Sequence, residues 1–261
     1  MFDIHSIDFE KIISIIKETA HLFNDDTAAA HITEKGVADY VTEVDTTVQK
    51  LLYEKLSELY PNIQFMGEEK DNSDIDFSRP VWILDPVDGT TNLIHRYPAS
   101  CISLGLAAEH QVLAGIIYNP YYDELFFAVK GKGATLNGKP IHVSSAATLA
   151  ESIVSVGTMP YVKDLADLTF RQIKNVFLRA QDIRRIASAA LDLCYTACGR
   201  QDTYFEPFLK PWDFAAGMVI LTEAGGQVTD YEGQPIFPDK ITKILASNGL
   251  VHQEMMETIR I

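Results

Sequence analysis

Two aspartates that follow a short apolar segment are the first residues in this sequence with types and spacing suited to chemistry. The segment reads Asp85-Pro86-Val87-Asp88-Gly89-Thr90-Thr91, directly after Val81-Trp82-Ile83-Leu84. Two carboxylates at the end of a buried strand can converge on neighbouring hard cations. The glycine lets the backbone approach an anion closely, and the threonine hydroxyls and amides are donors for its oxygens. The segment predicts either a site for a cation and an anion or an ordinary Asp-Gly turn capped by threonine.

Three further acids lie at predicted element ends. Glu68 follows the apolar run 63–66, Asp213 begins a helical pattern, and Asp45 stands three residues after Thr42. Each has a simpler interpretation, as a solvated surface acid, a helix N-cap and a capping-box acid, respectively. Taken singly, none of these acids identifies a site.

Taken together, the acids form a set of oxygen ligands: Glu68, Asp85, Asp88 and Asp213. Such a set suits Mg²⁺, with Mn²⁺ as the alternative, and a buried group of carboxylates requires cations to offset its repulsion. No cluster of His and Cys accompanies it to favour zinc. His95 is close in sequence, and we expect a structural hydrogen-bonding role for it. The sequence contains no G-x-x-x-x-G-K-[ST], no G-x-S-x-G and no G-x-G-x-x-G after a strand.

Helices and strands alternate irregularly around these acids. Helical spacing predicts a helix over 9–23 and a second over 44–59 that Pro61 closes, and the polar residues 33–36 between them predict a loop or turn. Apolar runs predict strands at 81–84, 101–108, 112–118 and 124–129, and Asn137-Gly138 predicts a hairpin.

The remainder predicts strands at 152–156, 202–206 and 244–246 and helices at 165–178, 187–198, 212–224 and 251–259. Gly199 and Gly225-Gly226 are predicted to end two of these helices. Residues 144–147 resemble a connection between an N-terminal α+β half, 1–143, and a C-terminal α/β half, 144–261. The length of 261 residues favours one unit built from two packed halves. The pattern indicates an α+β fold in layers.

The composition is typical of a globular enzyme in a reducing compartment. The formal charge of −14, from 36 acids and 22 bases, disfavours nucleic-acid and membrane partners. The cysteines, Cys101, Cys194 and Cys198, are odd in number, and the N-terminus lacks an apolar leader, so we expect reduced thiols and a cytoplasmic protein. No segment approaches the ~18 apolar residues that a membrane span needs.

The three motifs together resemble those of the inositol monophosphatase family. They are Gly67-Glu68-Glu69, Asp85-Pro86-Val87-Asp88-Gly89-Thr90-Thr91-Asn92 and Trp212-Asp213-Phe214-Ala215-Ala216-Gly217. Their order and intervals match, and the likeness covers nearly the whole chain. The resemblance implies an α/β/α/β/α sandwich of the inositol monophosphatase and fructose bisphosphatase type, a homodimer, activation by two or three Mg²⁺ ions, and inhibition by Li⁺. Leu93 departs conservatively from the Phe found in many members.

The resemblance also implies a role for each site residue. Glu68, Asp85 and the Val87 carbonyl hold one metal ion, and Asp85, Asp88 and Asp213 hold a second. Asp45 orients Thr90, and this pair, with Glu68 and metal, activates the attacking water. Gly89 and Thr90 hold the phosphate, while Ala189, Glu206 and Asp213 contact the substrate. Lys35 is expected nearby on a mobile loop.

The substrate remains open at this stage. The resemblance implies hydrolysis of a small phosphate monoester, inositol monophosphate or a related polyol phosphate, by metal-activated water. NADP(H) 2′-phosphate, fructose 1,6-bisphosphate and 3′-phosphoadenosine nucleotides are alternatives on the same fold. A regulatory, protein-binding role is a further alternative, against which the intact set of acids argues.

Overall fold

The computed structural model describes residues 2–24 and 26–260. The α-helices are α1 (Phe9–Thr19), α2 (Asp26–Ala30), α3 (Glu43–Leu59), α4 (Thr90–Ile94), α5 (Ala166–Phe177), α6 (Ala189–Ala197), α7 (Pro211–Glu223) and α8 (His252–Ile259). The strands are β1 (Ile32–Gly36), β2 (Asp39–Thr42), β3 (Gln64–Gly67), β4 (Val81–Asp88), β5 (Cys101–Ala108), β6 (Gln111–Asn119), β7 (Glu124–Val129), β8 (Ala134–Leu136), β9 (Lys139–Pro140), β10 (Ile153–Val156), β11 (Asp182–Arg184), β12 (Thr203–Leu209), β13 (Gln227–Thr229) and β14 (Thr242–Ser247). Short 3₁₀ turns cover Ile4–Ser6, Ala20–Asn24, Leu149–Glu151 and Lys163–Leu165.

The larger sheet has the strand order β3-β4-β5-β6-β7-β8-β9. Strands β3 and β4 are parallel, and the later neighbours are antiparallel. Every residue of β4 and β5 is buried, because helices cover both faces of the sheet. The hairpin predicted at Asn137-Gly138 is confirmed, with both residues at positive φ between β8 and β9.

The smaller sheet has the order β11-β10-β12-β14-β13. Its side chains alternate between two cores, as the period of a strand requires. Tyr204 and Ile244 belong to the core that includes α6 and α7, whereas Phe205 and Leu245 pack with Val176 and other residues of α5 and α8. This sheet therefore lies between two helical layers.

The larger sheet also lies between two helical layers, so the chain forms five layers. Ile12 and Ile16 of α1 and Val48 and Leu52 of α3 pack on one face of the larger sheet. Helices α6 and α7 pack on its other face and separate the two sheets. The order is α/β/α/β/α, which confirms the predicted layered α+β fold.

A close approach of backbones places α7 on the larger sheet. A Cβ atom at Gly115 in β6 would lie 2.4 Å from the Ala216 carbonyl oxygen, so no larger residue fits there. The small residues 215–217 of α7 allow this contact, and the start of α7, with Asp213, is thereby held beside the sheet.

One local prediction is wrong, and another differs from the structure in the type of helix. Residues 33–36 do not form a loop, because Thr33 and Glu34 pair with Val41 and Tyr40 in the β1–β2 hairpin. The first helix ends its α-helical part at Thr19 and continues to Asn24 as a 3₁₀ turn. Within the described residues, no helix is both long and apolar enough to cross a membrane.

Candidate functional site

A cavity of about 520 Å³ lies beside the end of β4 and the first residues of α4, α6 and α7. Its walls contain the four acids predicted as cation ligands, Glu68, Asp85, Asp88 and Asp213. The other predicted residues in its walls are Val87, Gly89, Thr90, Ala189 and Glu206. Nearly all the residues singled out from the sequence therefore meet in one place.

An irregularity in β4 explains how Asp85 and Asp88 reach the same cavity. In a regular strand, residues three apart point to opposite faces of the sheet. Here Asp85 pairs with Ser103 and Asp88 with Cys101, so β4 carries one extra residue between these pairs. Such a bulge reverses the alternation, and both carboxylates line the cavity.

Each of the three aspartates uses one carboxylate oxygen for the bonds that position it. Asp85 Oδ1 accepts from the Val87 amide at 3.0 Å, and Asp213 Oδ2 accepts from the Lys210 amide at 2.7 Å. Asp88 Oδ2 accepts from Ser188 Oγ at 2.5 Å and from the Ala190 amide at 2.8 Å. The bonds fix the orientation of each carboxylate and leave its second oxygen available to a cation.

Glu68 is positioned by the turn around it. The Asn72 side chain accepts from the Gly67 amide at 3.1 Å and donates to the Gly67 carbonyl at 2.8 Å. Two ammonium groups lie near its carboxylate, with Lys35 Nζ and Lys210 Nζ each 3.7 Å from Glu68 Oε1. Lys35 also pairs with Glu69 Oε1 at 2.5 Å. These lysines therefore partly neutralise Glu68, and Lys210 also acts on Asp213.

Burial and repulsion raise the pKa values of these carboxyls. Burial is the main cause in each case, and it raises the pKa of Glu68 to about 7 and that of Asp88 to about 6. The pKa values of Asp85 and Asp213 lie well above the usual range, because Glu68 and Asp88 add their repulsion to burial. The cavity therefore holds more negative charge than its lysines offset.

The donor set fits hard divalent cations. The oxygens of the four acids and the Val87 carbonyl are the ligands that Mg²⁺ and Mn²⁺ prefer, and a cation would relieve the repulsion that raises the pKa values. Across the described part of the chain, no three or more His, Cys, Asp and Glu side chains are already drawn into a metal cage.

Asp45 and Thr90 form a second part of the site. Asp45 Oδ2 accepts from the Thr42 amide at 2.8 Å, which confirms the predicted capping box of α3. Its Oδ1 accepts from Thr90 Oγ1 at 2.9 Å. Asp45 is fully buried, and burial is the main reason that its pKa is raised. The capping acid therefore also fixes the orientation of the Thr90 hydroxyl.

Gly89 makes the turn from β4 into α4. Its φ is +94°, in the left-handed region, and a Cβ atom there would lie 2.9 Å from the Ala99 carbonyl oxygen. The first amides of a helix lack partners within the helix. The amides that follow Gly89 are thus available to an anion in the cavity.

Ala189 and Glu206 lie in the walls contributed by the second half. Ala189 is the first residue of α6, and Glu206 is a residue of β12 that is 9% exposed. Glu206 Oε2 accepts from the Tyr204 hydroxyl at 2.5 Å. Burial raises the pKa of Glu206 to about 7. Gly157 provides the space for this carboxyl, since a Cβ atom there would lie 1.9 Å from Glu206 Cδ.

The structure differs from the sequence predictions at two of these residues. Asp213 is not the N-cap of α7, because Lys210 occupies that position and Asp213 is the third helical residue. Lys35 lies in strand β1 rather than in a loop.

Sequence reasoning missed several residues of the site. Ser188, Asp192, Arg185 and Lys210 have no motif of their own, and all of them line the cavity. The one available signal was Ser188, a favourable N-cap residue directly before the apolar start of α6.

Comparisons with known proteins agree with this arrangement. The sequence model described as "Inositol monophosphatase family" matches residues 4–260. The chain is 44% identical over 227 residues to inositol monophosphatase 2 of Solanum lycopersicum, covering 84% of each chain.

Solved structures show the same fold. The extragenic suppressor protein suhB from Bartonella henselae superposes with a TM-score of 0.88 at 33% identity, over 97% of this chain and 98% of that one. An IMPase from Thermotoga maritima gives a TM-score of 0.86 at 32% identity, over 96% of both chains.

Proposed function

The chain belongs to the inositol monophosphatase family, whose enzymes hydrolyse phosphate monoesters, and we propose that its own substrate is inositol monophosphate or a closely related polyol phosphate. One observation carries this proposal: four carboxylates, of which Asp85 and Asp88 are buried, the turn at Gly89 and Thr90, and the buried Glu206 line one cavity. Carboxylates of this kind can bind a phosphate ester when bound cations reverse the local charge. Glu206 can accept hydrogen bonds from a substrate rich in hydroxyl groups.

We assign the metal ligands as the resemblance implies. Glu68, Asp85 and the Val87 carbonyl would hold one Mg²⁺, and Asp85, Asp88 and Asp213 would hold a second. Mg²⁺ ions bound there would neutralise the phosphoryl oxygens, promote ionisation of water and stabilise the leaving alkoxide. The bonds from Val87, Ser188, Ala190 and Lys210 keep these carboxylates oriented before any ligand arrives.

The Asp45–Thr90 pair orients the attacking water. The Thr90 hydroxyl lies within donor distance of Asp45 Oδ1, at 2.9 Å, and of the Val87 carbonyl, at 3.1 Å. When it donates to Asp45, its oxygen lone pairs are free to accept a hydrogen bond from a water molecule in the cavity. Glu68 faces the same cavity and serves as a further acceptor for that water. The pair therefore fixes the direction from which water approaches the phosphorus.

The start of α4 holds the phosphate. The amides of Gly89 and Thr90 precede the first intrahelical hydrogen bond, in which Leu93 donates to the Gly89 carbonyl at 3.1 Å. Ser100 Oγ donates to the same carbonyl at 2.8 Å and holds the turn in place. These fixed donors match the spread charge of a phosphoryl group during transfer.

The alcohol part of the substrate lies against Ala189 and Glu206, with Asp213 at the boundary to the phosphate. The small side chain of Ala189 leaves room for a ring, and Glu206 accepts a hydrogen bond from a hydroxyl. The buried position of Glu206 makes such a bond stronger than it would be in water.

The proposal is tested by measuring phosphate release from inositol 1-phosphate, with Mg²⁺ and with a chelator. We expect turnover that depends on Mg²⁺ and exceeds that of glycerol phosphate, an acyclic polyol ester, and of NADP. A higher kcat/KM for NADP, fructose 1,6-bisphosphate or a 3′-phosphoadenosine nucleotide would assign the chain to that substrate instead.

Three finer properties are part of the proposal. We propose a cytoplasmic homodimer, and light scattering after gel filtration tests the dimer. The free thiols of Cys101, Cys194 and Cys198 agree with a reducing compartment. We also propose that Li⁺ inhibits the enzyme at the site of Asp85, Asp88 and Asp213.

A further inference from the structure

Asp192 is a buried carboxyl in the cavity wall that the proposed reaction does not use. It lies in α6, is 1% exposed and lines the cavity. Its Oδ1 accepts from the Ser155 hydroxyl and, at 3.4 Å, from Gln201 Nε2. Among the described residues, no hydrogen-bond donor contacts its Oδ2. One oxygen of a buried carboxyl is therefore left without a protein partner.

Asp192 Oδ2 is not one of the fully enclosed polar atoms that lack a partner, so this oxygen is accessible from the cavity rather than sealed in the core. Burial raises the pKa of Asp192 well above its usual range, although Ser155 and Gln201 act in the opposite direction. The oxygen lines a cavity that a ligand enters, so a ligand hydroxyl is the partner that would satisfy it.

The charges around Asp192 favour a neutral ligand group over an anionic one. Glu206 and Asp88 are the carboxyls whose repulsion acts on it. Arg185 is the cation that acts on Glu206, but it is exposed, and its Nε and Nη2 donate to Thr158 Oγ1 at 3.2 and 3.0 Å. This part of the cavity has two buried carboxyls and only one solvated guanidinium among the charges discussed, so it is a poor site for a second phosphate.

We propose that Asp192 Oδ2 accepts a hydrogen bond from a hydroxyl of the alcohol part of the substrate and, together with Glu206, selects monophosphates of uncharged polyols. This rests on the proposed function and narrows it to a substrate class. It makes Asp192 a specificity-determining residue in addition to Ala189 and Glu206.

A structural role for Asp192 leads to a different expectation. Its bonds to Ser155 in β10 and to Gln201 also tie α6 to the smaller sheet. If that were its whole role, substitution would reduce turnover of every ester by the same factor, whether or not the ester carries hydroxyl groups.

The test compares three esters that differ stepwise: inositol 1-phosphate, cyclohexyl phosphate, which lacks the ring hydroxyls, and inositol 1,4-bisphosphate, which carries a second charge. The kcat/KM of each is measured with saturating Mg²⁺ for the unsubstituted chain and for Asp192→Asn. The Asn variant keeps an acceptor for Ser155 and replaces Oδ2 by an amide donor. Ser155→Ala is the matched control, because it removes the structural bond and keeps the carboxyl.

We expect Asp192→Asn to lower the preference for inositol 1-phosphate over cyclohexyl phosphate by about tenfold, the effect of one hydrogen bond. Ser155→Ala should leave that preference unchanged. The unsubstituted chain should also prefer the monophosphate to the bisphosphate, and Asp192→Asn should reduce this preference.

Two results would overturn the proposal. One is an equal loss on inositol 1-phosphate and cyclohexyl phosphate. The other is a preference of the unsubstituted chain for the bisphosphate, which would identify Arg185 as the site of a second phosphate. If no ester is hydrolysed, the proposed function fails separately. In that case, calorimetry measures the affinities for inositol 1-phosphate and cyclohexyl phosphate. If Asp192→Asn leaves the difference between these two affinities unchanged, the proposed role of Asp192 is overturned.

Discussion

Ser188 Oγ donates a hydrogen bond to Asp88 Oδ2 at 2.5 Å, although the two residues are 100 positions apart in the chain. The bond links the end of β4 in the first proposed half to the start of α6 in the second. Ser188 also accepts from the Leu191 amide at 3.3 Å and so caps α6. One hydroxyl therefore stabilises a helix and orients a carboxylate that we assign to the second metal ion.

Loss of the Ser188 hydroxyl should weaken metal binding. We predict that Ser188→Ala lowers the affinity for Mn²⁺ or Mg²⁺ by about 10- to 100-fold, as expected for a residue that orients a ligand. Calorimetric titration with Mn²⁺ measures the affinity directly. Ser188→Thr keeps the hydroxyl and should restore most of the affinity. Equal affinities for the Ala and Thr variants would contradict the role of this bond.

Ala187 next to it has an unfavourable backbone conformation. Its φ is +69°, in the left-handed region that favours glycine. We predict that Ala187→Gly raises the free energy of unfolding by about 0.5–1 kcal/mol, measured by urea denaturation. Ala197→Gly in α6 is the control and should lower it by about 1 kcal/mol. A destabilised Ala187→Gly variant would show that the surroundings, rather than strain, determine this position.

His252 should make the fold sensitive to acid. Its side chain is buried between Thr229 and Ser247, and burial lowers its pKa from 6.5 to about 4. The unfolded chain therefore binds a proton on His252 at a higher pH than the folded chain does. The stability from this group is present above about pH 6.5 and is lost as the pH falls towards 4.

We predict that Tm falls more steeply between about pH 7 and about pH 5 in the unsubstituted chain than in His252→Gln. Excess Mg²⁺ in both samples removes the contribution of the cavity carboxylates to the pH dependence of Tm. His5→Gln, at an exposed histidine, should keep the slope of the unsubstituted chain. Parallel curves for the unsubstituted chain and His252→Gln would exclude His252 as the group responsible.

Lithium should inhibit by occupying the site of Asp85, Asp88 and Asp213. Li⁺ is close to Mg²⁺ in size but has half its charge, so it could enter the same oxygen cage after the phosphoryl bond breaks, neutralise the retained phosphate differently and slow its release. We predict uncompetitive or mixed inhibition with respect to substrate, measured in steady-state assays with K⁺ as the ionic-strength control. Simple competition, or an equal effect of K⁺, would contradict this account.

The acids of the cavity could be predicted because local sequence patterns indicate their positions. Glu68 and Asp85 follow apolar runs, and such runs form strands that carry the next residue to an edge of the sheet. The bulge that brings Asp88 beside Asp85 depends on pairing with β5, and no pattern within β4 indicates it. Ser188 and Lys210 were not predicted because their partners are likewise distant in sequence.

The wrong prediction at residues 33–36 has a comparable origin. The segment is polar and exposed throughout, so no hydrophobic alternation distinguishes it from a loop. It becomes a strand by pairing with β2. The short strands β11 and β13, with three residues each, are likewise determined by their neighbours in the sheet rather than by their own sequence.

The most direct test of the account is phosphate release from inositol 1-phosphate by the unsubstituted chain, by Asp88→Asn and by Asp167→Asn, each at saturating Mg²⁺ and in excess chelator. Asp167 is an exposed acid of α5 and serves as the matched control. If the cavity is a metal-dependent phosphatase site, chelator abolishes turnover and Asp88→Asn lowers it by about a hundredfold or more, while Asp167→Asn behaves as the unsubstituted chain does. Turnover that persists in chelator, or an Asp88→Asn variant of near-normal rate at saturating Mg²⁺, would contradict the account.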